Sequence, residues 1–378
     1  MECGDKVIDL KLIGDVQNLI VEKNLNFLIG SGASTPFFPT LGNIEEFITK
    51  NDLKREVKSL IYAIYFNQII RKNIDLYYNN SLKSKDDVES SYLNFINNLT
   101  EKMQLRNNRL SPNRVNIFTT NYDLFFEGAI DTKIKKNPNI FFNDGANGYF
   151  TRILSSQNFH KTMSLNGVFD NYQKEIPMFN LIKCHGSVTW EKTSEDLIKV
   201  NNDVNILEEI GQIYINFGFS EETENLLSNW LKTEDINALE LFAQDKKDEL
   251  LEFYGKYQKL LIINPEKSKF HHTVFQEHYY SMLRLLSYEL EKEQTILIVF
   301  GFSFADEHIR KLIMRSLNNP FLQVYIFAYN EQSEQEIKRI LEINDVPTNI
   351  KFVSPAGTDP LIDFTYFNKL IFGGKIYD

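Results

Sequence analysis

Cysteine is scarce in this chain: Cys3 and Cys184 are the two that occur among 378 residues. Two thiols cannot build a disulfide framework or a four-thiolate zinc site, and this usage fits a reduced compartment. No apolar run approaches the roughly 20 residues that a membrane-spanning helix needs. The first residues also lack the basic start and apolar stretch of a signal peptide. We therefore expect a cytoplasmic protein with no membrane partner.

A Walker A loop and an excess of positive charge are also missing. Gly373–Ile376 comes nearest to such a loop, but its spacing is wrong and it lacks the required Ser or Thr. The formal net charge is −10, and residues 205–253 hold twelve Asp and Glu against three Lys. This distribution argues against a broad phosphate-binding surface, so we do not expect direct binding of nucleic acid.

The cysteine and histidine patterns indicate neither a thiol nucleophile nor a metal site. Cys184 and His185 are adjacent, so on a strand they point to opposite faces and cannot share a proton. We interpret Cys184 as buried packing. His271, His272 and His278 lack the carboxylate spacing of a known metal motif, and we predict no metal.

Short apolar runs alternate with helical patterns along the chain. Strands that alternate with helices predict a parallel sheet. We expect one α/β domain over residues 1–378, with a Rossmann-like parallel sheet flanked by helices. The apolar runs that predict strands are Asn26–Ile29, Val115–Phe118, Leu181–Lys183, Leu260–Ile263, Ile296–Phe300, Val324–Phe327 and Ile350–Val353.

Two long segments between the predicted strands have helical patterns, and we interpret them as insertions. The first covers approximately residues 43–112 and begins with Asn43 and Glu46, which are spaced as an N-cap and its partner. The second covers approximately residues 190–258 and contains the acidic stretch. A Gly- and Asn-rich segment, Asn143–Gly148, is predicted to be a loop.

Three short motifs follow apolar runs, each at the place where a buried strand would end. Ligands of open α/β sheets bind outside the carboxyl ends of the strands, so these motifs predict a nucleotide site. Glycines in the first motif would let the backbone approach a diphosphate closely. The motifs are Gly30-Ser31-Gly32-Ala33-Ser34, Thr119-Thr120-Asn121-Tyr122-Asp123 and Cys184-His185-Gly186-Ser187.

Each motif also has a purely structural interpretation. The glycine motif lacks the third glycine of the full dinucleotide fingerprint and fits a tight turn that binds nothing. Asn121 and Asp123 point to the same side of an extended strand end, but Asn and Asp also cap helices at such positions. Histidine is suited to general-base chemistry near neutral pH, yet a His before a Gly, as at His185, is also common in turns.

Two further candidates follow later in the chain. Gly301 and Ser303 lie between an apolar run and a helical pattern, where backbone amides and a hydroxyl can meet a ribose or phosphate. Asn330 follows the next predicted strand, where an Asn can bond an adenine-side ribose or form a turn. Five polar candidates at successive strand ends favour a ligand site over five independent turns.

The ordered motifs resemble those of the sirtuin family, which carries a Gly-Ala-Gly-Ala-Ser loop, a Thr-Gln-Asn-Ile-Asp segment, a His-Gly pair and a late Gly-x-Ser. In this chain they are GSGAS, TTNYD, CHGS and GFSF, on a framework from about Leu25 to Asn330. The resemblance implies NAD+ as the ligand and catalytic roles for Asn121, His185 and Asp123. It implies cofactor binding by Gly30, Ser31, Gly32, Ala33, Ser34, Thr120, Gly301, Ser303 and Asn330.

The chain departs from sirtuin deacylases because no cysteine follows Cys184, so the two cysteine pairs of the structural zinc module are absent. The acidic insertion stands in place of that module. With this departure, the chain is similar to the sirtuin-like effector domains of bacterial anti-phage systems, which are NAD+ hydrolases. The resemblance implies cleavage of NAD+ to nicotinamide and ADP-ribose, and abortive infection through NAD+ depletion.

The implied roles are specific. Asn121 would orient the nicotinamide ribose and the attacking water, His185 would accept a proton, and Asp123 would hold the ribose or Asn121. The resemblance also implies a homo-oligomer and a separate HerA-type hexameric ATPase as partner, which the missing Walker motif fits. Two alternatives stay open: a regulatory subunit that binds NAD+ or ADP-ribose without hydrolysis, and a protein deacylase.

Overall fold

The computed structural model describes most of the chain. Asn43, Glu46, His271 and His272, which enter the predictions above, lie outside the described residues. Within the described part, no helix is both long enough and apolar enough to cross a membrane. The described residues are 9–39, 47–48, 53–80, 82–106, 112–167, 173–264, 273–343, 345–355 and 360–373.

A seven-stranded sheet forms the centre of the molecule, and each neighbouring pair of its strands is parallel. This confirms the predicted α/β class with a Rossmann-like parallel sheet. The strands are β1 (Asn24–Ile29), β2 (Arg114–Thr119), β3 (Phe141–Asn143), β4 (Met178–Lys183), β5 (Thr295–Phe300), β6 (Leu322–Phe327) and β7 (Ile350–Val353).

Helices cover both faces of this sheet. Those up to β5 are α1 (Leu10–Glu22), α2 (Arg55–Gln68), α3 (Asn73–Tyr77), α4 (Lys83–Gln104), α5 (Phe125–Lys136), α6 (Asn205–Asn216), α7 (Glu221–Lys232), α8 (Ile236–Asp245), α9 (Lys247–Tyr257) and α10 (Thr273–Leu290). After β5 come α11 (Glu307–Ser316), α12 (Glu331–Ile340) and α13 (Phe364–Phe372).

Alternate residues of each strand face opposite sides of the sheet, so each strand contributes to two cores. Phe27 of β1 packs into the core formed with α1, α2, α4, α5, α6, α9 and α13. The next residue, Leu28, packs into a second core formed with α10, α11 and α12. Burial on both faces explains why these strands are nearly continuous apolar runs in the sequence.

Strands are added to the sheet first on one side of β1 and then on its other side. In space the strands are ordered β7-β6-β5-β1-β2-β4-β3. The strands β2, β3 and β4 lie on one side of β1, and β5, β6 and β7 lie on the other. The topological switch point therefore falls between β1 and β5, where a crevice opens at the carboxyl ends of the strands.

Two local predictions were wrong. Leu260–Ile263 is not a strand of the central sheet, because Ile262 forms only an isolated antiparallel bridge with Gly186. A short apolar run does not distinguish a strand from another buried segment. The predicted loop Asn143–Gly148 contains the end of β3 and the two-residue strand Ala146–Asn147, which pairs with Ile153–Leu154. Backbone pairing there outweighs the local turn preference of Gly and Asn.

The region of the acidic insertion begins with strands rather than with a helix. Trp190–Lys192 and Ile198–Val200 pair antiparallel with each other, and Ile198–Val200 also pairs with Ile153–Leu154. The helices α6 to α9 follow and fill the acidic stretch. Together with Ala146–Asn147, these strands form a second sheet of four short strands. All four occur in the chain between β3 and α6.

Four asparagines form a continuous row of amide hydrogen bonds across β1, β2, β4 and β3. Asn116 Nδ2 donates to Asn26 Oδ1 at 2.8 Å, and Asn180 Nδ2 donates to Asn116 Oδ1 at 2.8 Å. Asn143 Nδ2 donates to Asn180 Oδ1 at 2.9 Å. All four are buried and stand in register on adjacent strands. Because a one-residue slip would leave these amides unpaired in the core, this amide ladder fixes the register of four strands.

Asn116→Ala is expected to lower the free energy of unfolding by about 1–3 kcal/mol, because Asn26 Oδ1 loses its buried donor. Asn216→Ala is the matched control at the exposed end of α6, and it should change that free energy by less than about 0.5 kcal/mol. Urea denaturation followed by circular dichroism measures both variants. Equal stability of the two would contradict the role given to the amide ladder.

Candidate functional site

A cleft opens at the switch point, between the loops that follow β1, β2, β4 and β5. It encloses about 200 Å³. All three residues with implied catalytic roles line it, together with several of those with implied cofactor roles. The lining residues are Ser31, Ser34, Phe38, Pro39, Ile69, Thr120, Asn121, Tyr122, Asp123, His185, Ile263, Asn264, Gly301, Phe302, Ser303, Ala305 and Asp306.

Gly30, Gly32 and Gly301 lie where the loop after β1 crosses the loop after β5. Gly32 N donates to Gly301 O at 3.0 Å, and Gly30 N donates to Phe300 O at 2.9 Å. A Cβ on Gly32 would lie 2.7 Å from Gly301 Cα. The glycines are therefore required for the close packing of two loops, in addition to any approach by a diphosphate. Gly30, Gly32 and the buried Ala33 lie behind the cleft and do not line it.

The Asn121 side chain is held by the loop after β1. Its Nδ2 donates to Gly30 O and to Ser34 Oγ, both at 3.1 Å. The backbone N–H of Asn121 donates to Thr119 Oγ1 at 3.0 Å. The residue is buried within the protein and yet lines the cleft. Because Nδ2 is engaged as a donor, Oδ1 is the amide atom left to accept a hydrogen bond from a ligand.

Asp123 belongs to the same buried network. Ser34 Oγ donates to Asp123 Oδ2 at 2.7 Å, and Phe125 N, at the start of α5, donates to Asp123 Oδ1 at 3.2 Å. The helix-capping interpretation therefore describes part of the role of Asp123. Burial raises the pKa of the Asp123 carboxyl, and the nearby Lys183 ammonium opposes that shift.

The motifs do not predict two buried partners of this network. The Tyr92 hydroxyl of α4 lies 2.8 Å from Ser34 Oγ, and burial raises the pKa of Tyr92 well above its usual value. Lys183 Nζ donates to the backbone O of Asp123 and pairs with Glu127 Oε1 at 2.6 Å. Tyr92 lies in a helix with no motif around it, so the sequence offers no signal for its role. Lys183 ends an apolar run next to a polar motif, and a charged residue at that place could have been recognised as a site candidate.

His185 follows β4, and its ring is held by Asp306. Its side chain is 18% exposed, and Nε2 lies 3.1 Å from Asp306 Oδ2. The backbone O of His185 accepts a hydrogen bond from Ile263 N at 2.9 Å, so the segment misassigned as a strand supports this loop. The sequence interpretation gives Asp306 no role, although an Asp directly before a helical pattern is an N-cap signal.

The residues assigned to the adenosine side divide into two groups. Gly301 and Ser303 line the cleft. Asn330 does not: it is the N-cap of α12, where its Oδ1 accepts a hydrogen bond from Ser333 N at 2.8 Å. The capping hydrogen bond agrees with the interpretation of Asn330 as a turn residue. A binding role for Asn330 stays a prediction.

No group of three or more His, Cys, Asp or Glu side chains is arranged to hold a metal ion among the described residues. His278 is buried and packs edge-on against Trp190, with ring centroids 4.8 Å apart. Burial lowers the pKa of His278 to about 4. Cys184 is fully buried, which raises its pKa to about 12 and agrees with a packing role.

Comparison of the chain with protein-family models finds no match, and comparison with curated proteins finds none either. The fold and the site alone define the class, which is an α/β protein with a parallel Rossmann-like sheet and a polar cleft at its switch point. Clefts in this position are where open α/β sheets bind ligands.

Gly301→Ala is expected to lower the free energy of unfolding by about 1–3 kcal/mol. The added Cβ would lie 2.8 Å from Ala33 N, and the φ of +65° disfavours alanine. Gly255→Ala in α9 is the matched control, because nothing lies within 4 Å of a Cβ there. It should raise the free energy of unfolding by about 0.5–1 kcal/mol, since alanine favours a helix. A neutral Gly301→Ala in urea denaturation would contradict the packing argument.

Proposed function

We propose that this protein cleaves NAD+ to nicotinamide and ADP-ribose, with water as the acceptor. The observation that supports this most is the presence of Asn121 and His185 in one cleft. They follow the neighbouring strands β2 and β4, and the loop after β1 completes the cleft. A site that only bound a nucleotide would need the loop but no base.

The reaction breaks the bond between C1′ of the nicotinamide ribose and the pyridinium nitrogen. The electron pair of that bond goes to the positively charged pyridinium nitrogen. Nicotinamide therefore departs as a neutral molecule, and its departure needs no general acid. An oxocarbenium-like ribose forms, and a water oxygen adds to C1′. The protein must therefore position the ribose and the water and accept the proton that the water loses.

The contacts in the cleft suit these tasks. Asn121 Oδ1 accepts a hydrogen bond from a ribose hydroxyl or from the water, because Nδ2 is already engaged. His185 accepts the proton. Asp123 holds Ser34, and Ser34 holds Asn121, so these bonds favour a positioning role for Asp123 over direct contact with the ribose.

His185→Gln is expected to lower the rate of nicotinamide release by about 10²- to 10⁴-fold, the usual size of general-base assistance. Glutamine keeps a polar side chain there but cannot take up a proton. His160→Gln, at an exposed position, is the matched control and should keep the wild-type rate. Chromatography of the nicotinamide and ADP-ribose formed from NAD+ measures all three proteins.

Two results would contradict this proposal. A wild-type rate in His185→Gln would remove His185 from the catalytic machinery. A wild-type protein that releases no nicotinamide, both alone and with the products of neighbouring genes, would contradict NAD+ cleavage itself. Nicotinamide release that requires an acylated peptide would instead support the protein deacylase.

A second candidate is a subunit that binds NAD+ or ADP-ribose without cleaving it. One observation favours it: Asn121 Nδ2 and both carboxylate oxygens of Asp123 already have partners inside the protein. Calorimetric titration with ADP-ribose separates the two candidates when it is combined with the nicotinamide assay, because a hydrolase also binds its product. Tight binding with no nicotinamide release, even in an assembled complex, would favour the binding subunit.

The biological setting is proposed from the motif resemblance alone. In this proposal the protein is an anti-phage effector that acts by NAD+ depletion in the cytoplasm. It assembles as a homo-oligomer with a separate HerA-type hexameric ATPase. Co-expression of the tagged chain with the neighbouring genes, followed by size-exclusion chromatography, tests the assembly. A fully active monomer that retains no partner would contradict it.

A further inference from the structure

Asp306 stands between the start of α11 and the cleft. As the N-cap of α11, its Oδ1 accepts hydrogen bonds from His308 N at 2.9 Å and from Ile309 N at 3.0 Å. The residue is 8% exposed. These two bonds satisfy backbone donors of the first helical turn, and they fix the carboxylate in position and orientation.

The other carboxylate oxygen serves a different partner. Asp306 Oδ2 lies 3.1 Å from His185 Nε2. The Tyr279 hydroxyl of α10 donates to Oδ1 and Oδ2, each at 3.2 Å. A helix cap needs only the oxygen that faces the helix, so the contact with His185 is not explained by capping.

We propose that Asp306 is a positioning residue for His185, an inference that rests on the proposed NAD+ hydrolysis. A carboxylate can only accept hydrogen bonds, so the neutral imidazole carries its proton on Nε2. Nδ1 is then the ring nitrogen with a free lone pair, and it takes the proton of the attacking water. The negative charge of Asp306 also stabilises the imidazolium that forms, as the aspartate does in a Ser-His-Asp triad.

Asp306→Asn separates this role from capping. Asparagine keeps an acceptor oxygen for His308 N and Ile309 N, and Asn is a good N-cap. Its NH2 group would face His185 Nε2 and oblige that nitrogen to accept, which moves the imidazole proton to Nδ1. The variant therefore keeps the helix start and removes the base.

The expected result is a fall in kcat of about 10²- to 10⁴-fold with little change in KM for NAD+. A merely structural role would alter KM and thermal stability together with kcat. Asp363→Asn is the matched control, because Asp363 is an exposed N-cap of α13 that accepts a hydrogen bond from Tyr366 N. It should leave kcat and KM unchanged.

A second measurement does not depend on activity. In protein labelled with 15N-histidine, the ring nitrogen shifts of neutral His185 report which nitrogen carries the proton. We expect protonated Nε2 in the wild type and protonated Nδ1 in Asp306→Asn. His185→Gln identifies the signals. If Asp306→Asn does not fold, Asp306→Ser, which also keeps a capping oxygen, is measured in the same way and should show the same fall in kcat.

The outcomes distinguish this inference from the proposed function. A wild type that releases no nicotinamide, alone or with the products of neighbouring genes, but has protonated Nε2 contradicts NAD+ hydrolysis and leaves the hydrogen bond in place. A wild-type kcat in Asp306→Asn overturns the positioning role while leaving NAD+ hydrolysis intact. A fall in kcat that comes with a rise in KM and a loss of thermal stability, without a change in the protonated nitrogen, also overturns it, because the loss would then come from the helix start.

Discussion

The amide ladder across β1, β2, β4 and β3 fixes how these strands are aligned with one another. Asn26, Asn116 and Asn180 stand in register, so β1, β2 and β4 end at one level of the sheet. Asn121 and His185 follow those ends by a few residues. A slip of one strand against the next would carry its polar motif away from the cleft and would also leave buried amides unpaired. The same bonds therefore stabilise the fold and place the site.

The second constraint is the close crossing of the loops after β1 and β5. Because Gly32 and Gly301 lack side chains, the two backbones come within hydrogen-bond distance at the switch point. The loop after β1 then presents Gly30 O and Ser34 Oγ to the Asn121 amide, and the loop after β5 presents Asp306 to His185. Each implied catalytic side chain is thus oriented by a neighbour from another loop. The site is preorganised by bonds that no single motif contains.

The sequence predicts the central sheet well, since six of its seven strands coincide with mainly apolar runs and five of these runs lead into the polar candidates. It also predicts which loops meet, because parallel strands have their carboxyl ends on one edge. The partners of those loops could not be predicted in this way. Tyr92 reaches Ser34 from a helix distant in the chain, and Asp306 has the signal of an ordinary helix cap. Asn330 shows the converse, because this polar residue after a strand caps α12 and does not line the cleft.

The proposed function requires the cleft to hold the nicotinamide-side ribose of NAD+ between Asn121 and His185. A crystal structure of the protein with ADP-ribose tests this placement. We expect the terminal ribose within hydrogen-bond distance of Asn121 Oδ1 and of the His185 ring. We also expect the diphosphate against the loop after β1. Density for ADP-ribose at any other place on the protein, with this cleft empty, would contradict the proposed binding of NAD+ between Asn121 and His185.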